Sequence, residues 1–346
     1  MIRRLTILAL VAISLAPGSW IRTPAPVPND SHTLTLTSLD IAPRRLGETT
    51  LVGGWHLTSA NSGFGSYSAL VSIGSKRFLA GSDRGRLLEF DRPDMGAPPR
   101  DPVLRMFPGS GNRDKSAVDL ESLTRAPATG TIWAGFEGRN TIQRIAGDYT
   151  NRKSVFPNAM ADWASNSGAE SLVRLANGRF LVISEGTALE EAGTFPTLLF
   201  DRDPMEGGTA RRYFFQPPRG YRPVDATQLP DGRILALVRT FTIALPPRFA
   251  VKIVLLDPAE LDPARPWRGR TIAAIDDPVI ADNYEGLATT CNADGTIAIW
   301  LISDDNDSIY QRTLLLKLLW PPPDRKDLRT DTQKGAQNPS ARPLMR

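Results

Sequence analysis

Cysteine and histidine are scarce in this chain of 346 residues, which contains one cysteine, Cys291, and two histidines, His32 and His56. A single thiol cannot form an internal disulfide. A zinc site built from histidine and cysteine lacks its ligands, and no G-x-S-x-G turn is present to support a serine hydrolase triad. Because Cys291 lies within an apolar run, the sequence predicts a buried and unreactive thiol at that position.

The sequence also lacks long amphipathic helical patterns and long apolar runs. Its 28 glycines and 29 prolines instead suit many tight turns between short strands. The formal net charge of +4 is carried by the ends, namely Arg3, Arg4 and a surplus of basic residues in 324–346. The body between these ends is close to neutral, so nucleic acid is not an expected partner.

The first 25 residues have the pattern of a secretory signal peptide, with two arginines before an apolar run from Leu5 to Ala16. That run is too short for a membrane-spanning helix, which needs about 20 apolar residues. We therefore expect a periplasmic or secreted protein, exported by the Sec or the twin-arginine route, with no stable membrane insertion after cleavage. Residues 26–48 are predicted to form a proline-rich spacer and a first strand, and residues 321–346 a disordered tail.

One short pattern recurs five times: an apolar run, a glycine-containing turn, a second apolar run and then a charged residue. Each copy predicts a β-hairpin with polar groups at its open end. The equivalent polar positions at the start of the five copies are Ser68, Glu121, Glu170, Asp225 and Glu285. A repeat of this length made of short strands is typical of a β-propeller blade.

Each of the first four hairpins is followed by two more predicted strands, which gives four strands per blade. The fifth hairpin is followed by a single strand, so we expect Leu51–His56, near the N-terminus, to supply the missing one. The sequence therefore predicts an all-β fold, a β-propeller of five to six four-stranded blades over residues 49–320, closed by an N-terminal strand. The segment His32–Ile41 leaves room for a partial sixth blade.

Hairpin geometry places the start of the first strand beside the end of the second strand. We therefore expect a ring of charged groups around one mouth of the central channel. The expected pairs are Glu121 with Glu137, Glu170 with Glu185, Glu285 with Asp304 and Asp305, Asp225 with Arg239, and Ser68 with Asp83. Alternatively, these carboxylates only cap turns by accepting backbone N–H bonds.

Two carboxylates about 4 Å apart repel each other by about 4 kcal/mol at an effective dielectric constant near 20. Such a ring needs protonation or a bound cation, and oxygen ligands suit Ca²⁺, with Mg²⁺ or Mn²⁺ as alternatives. The predicted metal ligands are Glu121, Glu170, Glu285, Asp304 and Asp83. The predicted catalytic residues are Glu137 and Glu185 as further ligands or general bases, and Arg239 as the group that holds an anionic substrate.

The C-terminal part of the chain resembles a known family through three motifs: the D-N-x-E-G-L sequence of 282–287, the D-D-N sequence of 304–306 and the Q-R-T sequence of 311–313. Together with DLESLTRAPATGTIWAGFE and NSGAESLVRLANGRFLVISE, they are similar to the phytase-like domain family, "esterase-like activity of phytase". The resemblance spans about Leu51 to Leu319 and implies an exported β-propeller with hydrolase activity. Ser68 departs from the pattern because no carboxylate occupies the first anchor position.

The functional hypothesis from sequence is an exported, monomeric hydrolase of a phosphate or carboxylic ester. A carboxylate-held metal at the channel mouth would act on a small anionic ester. The alternatives are a non-catalytic calcium-binding propeller that binds a ligand or protein partner, and a propeller that processes a sugar or lactone.

Overall fold

The computed structural model describes residues 6, 27–96, 100–110, 118–165, 167–186, 193–244 and 246–321. The predicted signal peptide lies outside these residues apart from Thr6, and the predicted tail lies outside them apart from Pro321. The described chain contains 22 strands, β1 to β22, and three single-turn 3-10 helices at Asn158–Met160, Pro204–Glu206 and Pro258–Glu260. No helix within the described ranges is both long and apolar enough to cross a membrane.

The strands form five antiparallel sheets, which are the blades of a propeller. Blade 1 contains β4 (Tyr67–Ile73), β5 (Arg77–Ser82), β6 (Arg86–Asp91) and β7 (Val103–Met106). Blade 2 contains β8 (Leu120–Arg125), β9 (Ile132–Phe136), β10 (Thr141–Ile145) and β11 (Lys153–Val155). Blade 3 contains β12 (Ala169–Arg174), β13 (Phe180–Ser184), β14 (Phe195–Phe200) and β15 (Ala210–Phe215). Blade 4 contains β16 (Arg222–Gln228), β17 (Ile234–Thr242), β18 (Arg248–Leu256) and β19 (Arg270–Ile275).

Blade 5 is built from both ends of the described chain. It contains β20 (Tyr284–Cys291), β21 (Ile297–Ser303), β22 (Leu314–Trp320) and β3 (Thr49–Thr58), which pairs antiparallel with β22. This pairing confirms the predicted closure by an N-terminal strand. The segment that left room for a sixth blade instead adds β1 (Thr35–Ser38) to the outer edge of β3, and β2 (Arg44–Leu46) pairs with another part of β3. The ring therefore has five blades.

The core lies between the blades. The second strand is buried along its whole length in blades 1, 2, 3 and 5, because a neighbouring blade covers each face. In blade 4 the first five of the nine residues of β17 are buried. Five apolar clusters join the five pairs of adjacent blades. The cluster that joins blade 5 to blade 1 includes Trp300, Phe78 and Phe90, and the ring of Phe78 lies edge-on to Trp300 with centroids 5.0 Å apart. The apolar contact thus continues around the whole circle.

The first strand of each blade lies next to the central channel, and β4, β8, β12, β16 and β20 contact one another in sequence around it. One prediction about these strands is wrong. Cys291 is exposed rather than buried, because it is the last residue of β20 and stands where that strand reaches the end of the channel.

Candidate functional site

Every inner strand carries a β-bulge near its start, where its pairing with the second strand shifts by one residue. The extra residue at the bulge is Ser68, Glu121, Glu170, Val224 and Glu285 in blades 1 to 5. A bulge bends the strand and redirects a side chain. In three of the five blades the residue at this position is a glutamate, so the bulges give the acidic ring its common geometry.

In blade 4 the predicted alignment is wrong by one residue. Val224 occupies the bulge, while Asp225 is paired with Leu237 inside the sheet. The Asp225 side chain is 1% exposed and accepts the backbone N–H groups of Leu287, at 2.7 Å, and of Ala226, at 2.7 Å. Burial raises the pKa of Asp225 and these two N–H groups oppose the rise. Asp225 therefore joins blade 4 to blade 5, and the residue opposite Arg239 is Arg222.

The ends of the second strands lie at the same mouth as the bulges. Backbone bonds continue the hairpins past their last pairs: Asp83 donates to the carbonyl of Ser66, Glu137 to that of Asp119, and Asp304 to that of Asn283, at 3.0, 2.9 and 2.9 Å. The corresponding residues in blades 3 and 4 are Glu185 and Arg239. The structure therefore brings all eight predicted site residues to one mouth, while their roles there remain predictions.

Blade 2 supplies a compact group of acids. Asp119, Glu121 and Glu137, each half-buried, offer carboxylate oxygens that lie within 4.8 Å of one another. Burial raises the pKa of Glu121 well above its usual range, and the negative charges of Glu170, Glu285, Asp119 and Glu137 raise it further. This group is a set of hard oxygen donors that cannot all be ionised without a counter-charge.

The acidic environment extends from blade 2 to blades 3 and 5. The Glu170 side chain is buried, and its pKa is raised by that burial and by the charges of Glu185 and Glu137. Burial also raises the pKa of Asp304, with Glu285 as the next cause. The charges of these carboxylates therefore act on one another across the blades, and Asp304 also caps a turn by accepting the backbone N–H of Asn306 at 2.7 Å.

Blade 4 contributes the single basic group that we predicted. The Arg239 guanidinium donates hydrogen bonds from Nη1 to both Glu285 Oε1 and Asn283 Oδ1, and its Nη2 lies 3.7 Å from Glu185 Oε1. Burial lowers the pKa of Arg239, but the charges of Glu285, Glu185 and Glu170 outweigh it and raise the pKa overall. Asn283 Nδ2 also donates to Glu285 Oε1 at 2.9 Å and to Asp304 Oδ2 at 3.4 Å. The guanidinium of Arg239 thus lies on the blade 3 and blade 5 side of the acidic mouth, where it faces Glu185 and Glu285.

The aspartates of the C-terminal motifs fasten the loops around this mouth. Asp305 accepts the backbone N–H of Ser66 in blade 1, at 3.2 Å, and the hydroxyl of Thr313, at 2.8 Å. Asp282 accepts the backbone N–H of Arg312 at 3.3 Å and lies 3.4 Å from its Nε. These contacts hold the blade 5 loops in place and join them to blade 1.

Sequence reasoning missed two residues of the mouth, Asp119 and Asn283. Both lie two positions before a bulged glutamate, Glu121 and Glu285 respectively. Their common [DN]-x-E pattern was a signal that could have identified them. The pattern places a second oxygen beside the glutamate in blade 2 and an amide bridge in blade 5.

The fold and the mouth define a five-bladed propeller with a ring of carboxylates, and with Arg239 among them, around an end of its channel. Residues 62–307 match the model of the Phytase-like family, described as "Esterase-like activity of phytase". The chain belongs to this family, as the sequence motifs indicated. No curated protein matches the chain.

Several solved structures resemble the chain at low similarity. A luciferin-regenerating enzyme is 13% identical, with 83% of this chain and 95% of that chain covered and a TM-score of 0.43. The α-L-arabinanase of Penicillium chrysogenum is 12% identical, with 86% of this chain and 97% of that chain covered and a TM-score of 0.42. The calcium-binding protein regucalcin of Agrobacterium tumefaciens is 16% identical, with 83% of this chain and 91% of that chain covered and a TM-score of 0.40. Such low scores give no basis for transferring an activity or a ligand.

Proposed function

We propose that this protein hydrolyses a phosphate or carboxylic ester at the acidic mouth of its channel, with a carboxylate-held Ca²⁺. The observation that carries this proposal is the group formed by Asp119, Glu121 and Glu137, whose oxygens lie within 4.8 Å of one another. It stands in the same ring as Arg239, so a cation site and an anion-binding group occur together. Membership of the Phytase-like family is consistent with ester hydrolysis.

The donor set fits a hard divalent cation. Ca²⁺ binds six to eight oxygens in flexible geometry, and a mouth lined by carboxylates from several blades offers such ligands. Asp119, Glu121 and Glu137 would hold the ion, and Glu170 is the acid whose charge raises the pKa of Glu121 most. When bound, such a cation neutralises the carboxylates, polarises an ester oxygen and acidifies water.

The chain's own residues have separate roles in this proposal. Arg239 would hold the anionic group of the substrate, exchanging its present bonds to Glu285 and Asn283 for bonds to substrate oxygens. Glu185, 3.7 Å from the Arg239 guanidinium, would accept the proton of the attacking water. Glu285 and Asp304 would keep Arg239 and Asn283 oriented, and Asp83 would complete the ring in blade 1.

The test is turnover of p-nitrophenyl phosphate and p-nitrophenyl acetate with calcium and with chelator. We compare the wild type with Glu121→Gln and with Glu260→Gln, a matched change at an exposed carboxylate on a 3-10 helix. We expect activity that requires calcium and is lost in Glu121→Gln alone. Turnover insensitive to both chelator and Glu121→Gln would refute the mechanism, and calcium stabilisation without turnover would identify a non-catalytic binding protein.

We also propose that the protein is exported and monomeric. The charged and apolar pattern of the first 25 residues supports export. Fractionation of cells that express the full chain tests the location, and sedimentation of the purified protein tests the oligomeric state. A cytoplasmic full-length product, or a dimer at micromolar concentration, would contradict these two proposals.

A further inference from the structure

The inner strands converge a second time at the opposite mouth of the channel. Their last residues are Ile73, Arg125, Arg174, Gln228 and Cys291 in blades 1 to 5. A cavity of about 580 Å³ opens there, and residues of all five inner strands line it. This volume lies within the range of about 300–1,000 Å³ that is common for small-molecule sites.

The charge at this mouth is opposite to that of the acidic ring. Among the described residues that line the cavity, the charged ones are Arg125 and Arg174, from neighbouring blades, and none is a carboxylate. Neither guanidinium forms an ion pair within the part of the chain that the structure describes. That of Arg174 lies 5.9 Å from the ring centroid of Trp133, and Nη2 of Arg125 lies beside Gly130 in the turn between β8 and β9, so both stand at the rim of the cavity. Both arginines therefore retain donors for a ligand.

Other polar groups of this mouth are already engaged. Gln228 Oε1 accepts the backbone N–H of Ala176 at 2.7 Å, and its Nε2 donates to the carbonyl of Gly232 at 3.0 Å. The hydroxyl of Thr124 accepts the backbone N–H of Arg174 at 3.0 Å. The guanidiniums are therefore the strongest donors left for a bound group.

The floor of the cavity is apolar. It includes Leu70, Leu123, Val173 and Leu287, all of them buried. Along β8, Leu123 lies between Glu121 at the acidic mouth and Arg125 at the opposite one, a span of about 13 Å for four residues of extended chain. The two mouths are separate sites, because this apolar layer lies between them.

We infer that the second mouth binds a small organic anion, with a carboxylate or phosphate group at the guanidinium of Arg125 or of Arg174 and an apolar body against the leucine floor. Arginine is suited to such groups because its fork of N–H donors matches two oxygens at once. Burial of the body against the floor supplies affinity that an inorganic anion would lack. This site is independent of the proposed hydrolysis.

Cys291 provides a direct assay, because it is the single cysteine of the chain, is exposed and lines this cavity. The full protein is labelled with the neutral reagent iodoacetamide in the presence of sodium benzoate, benzyl alcohol or inorganic phosphate. We expect saturable protection by benzoate, at least fivefold weaker protection by phosphate, and none by benzyl alcohol. Equal protection by benzoate and benzyl alcohol, or none by benzoate, would overturn the inference, and equal protection by benzoate and phosphate would overturn its apolar part.

A second measurement needs no ligand. We compare the rates at which Cys291 reacts with an anionic and a cationic methanethiosulfonate at low ionic strength. Neutralising both arginines (Arg125→Gln with Arg174→Gln) should lower the anionic-to-cationic rate ratio by about tenfold. The control Arg211→Gln, on the outer strand of blade 3, should leave it unchanged. An unchanged ratio in a folded double variant would overturn the inference, and the benzoate measurement decides it if that variant does not fold.

Discussion

The clearest quantitative test concerns the repulsion among the three acids of blade 2. With carboxylate oxygens within 4.8 Å, each ionised pair costs about 3.5 kcal/mol at an effective dielectric constant of 20. Full ionisation of three groups would then cost about 10 kcal/mol before screening by solvent, which is comparable to the whole stability of an ordinary domain, about 5–15 kcal/mol. The metal-free protein must therefore keep part of this group protonated or lose stability.

The sign of the pH dependence follows from the raised pKa of Glu121. An acid whose pKa is higher in the folded state binds its proton more tightly there, so folding is favoured below its ordinary pKa. That contribution is lost as the pH rises through the folded-state pKa. We therefore expect the metal-free protein to be less stable at pH 8 than at pH 5.

Glu121→Gln should remove this penalty, because a neutral amide resembles the protonated acid. Without calcium, urea denaturation should show the variant several kcal/mol more stable than the wild type at pH 8 and similar to it at pH 5. Saturating calcium, at 100 times its dissociation constant, should stabilise the wild type by about 2.7 kcal/mol and the variant much less. The control Glu260→Gln changes an exposed acid and should behave as the wild type does in every condition.

Two results would refute this reasoning. One is a Glu121→Gln variant that is less stable than the wild type at pH 8 without metal, which would mean that the ionised carboxylate is a net stabiliser. The other is a calcium effect of equal size in the wild type and the variant. The first would remove the electrostatic argument, and the second would place the ion elsewhere.

Three further outcomes are expected from urea denaturation. Asp225→Ala should lower the free energy of unfolding by about 1–3 kcal/mol for each backbone N–H left without an acceptor, and the N–H of Leu287 is one of these. An unchanged denaturation midpoint would exclude the proposed link between blades 4 and 5. Arg239→Gln leaves Glu285 without its cation. We therefore expect the free energy of unfolding to fall by about 3–5 kcal/mol at pH 8 and by less at pH 5. Equal losses at both pH values would count against the ion pair. Burial raises the pKa of Asp282 from 3.8 to about 6, so its contribution should lower the stability by about 3 kcal/mol between about pH 3 and about pH 8. Asp282→Asn should lack this fall.

The fold was predictable because its signals are local and repeated. A glycine-containing turn between two apolar runs specifies a hairpin, and five copies at similar spacing leave few alternatives to a ring. The closure by β3 was also predictable, since the fifth copy lacked one strand and Leu51–His56 was left without a blade. The five-blade count depended on β1, whose short alternating pattern does not show whether it begins a blade or extends one.

The site was only partly predictable, because a β-bulge shifts register by one residue without changing the apolar pattern. From the sequence, Asp225 of PVDATQL therefore aligned with Glu121 of DLESL. In the structure Val224 occupies the bulge and Asp225 lies inside the sheet. The contacts of Arg239 with Asn283 and Glu285 join residues of different blades. Such contacts depend on how adjacent sheets are rotated about the axis, which no local pattern encodes.

The closing pair of strands has a consequence for biosynthesis. During synthesis β3 emerges before any blade is complete, and its partner β22 emerges after all of the others. A ring sealed by its most distant segments has a high contact order, which slows the final step of folding. A nascent chain released before β22 would be an open fan with an unpaired strand edge, which is prone to aggregate. We therefore expect chains truncated before β22 to be insoluble rather than gradually less stable, so that only chains that include β22 fold to a soluble ring.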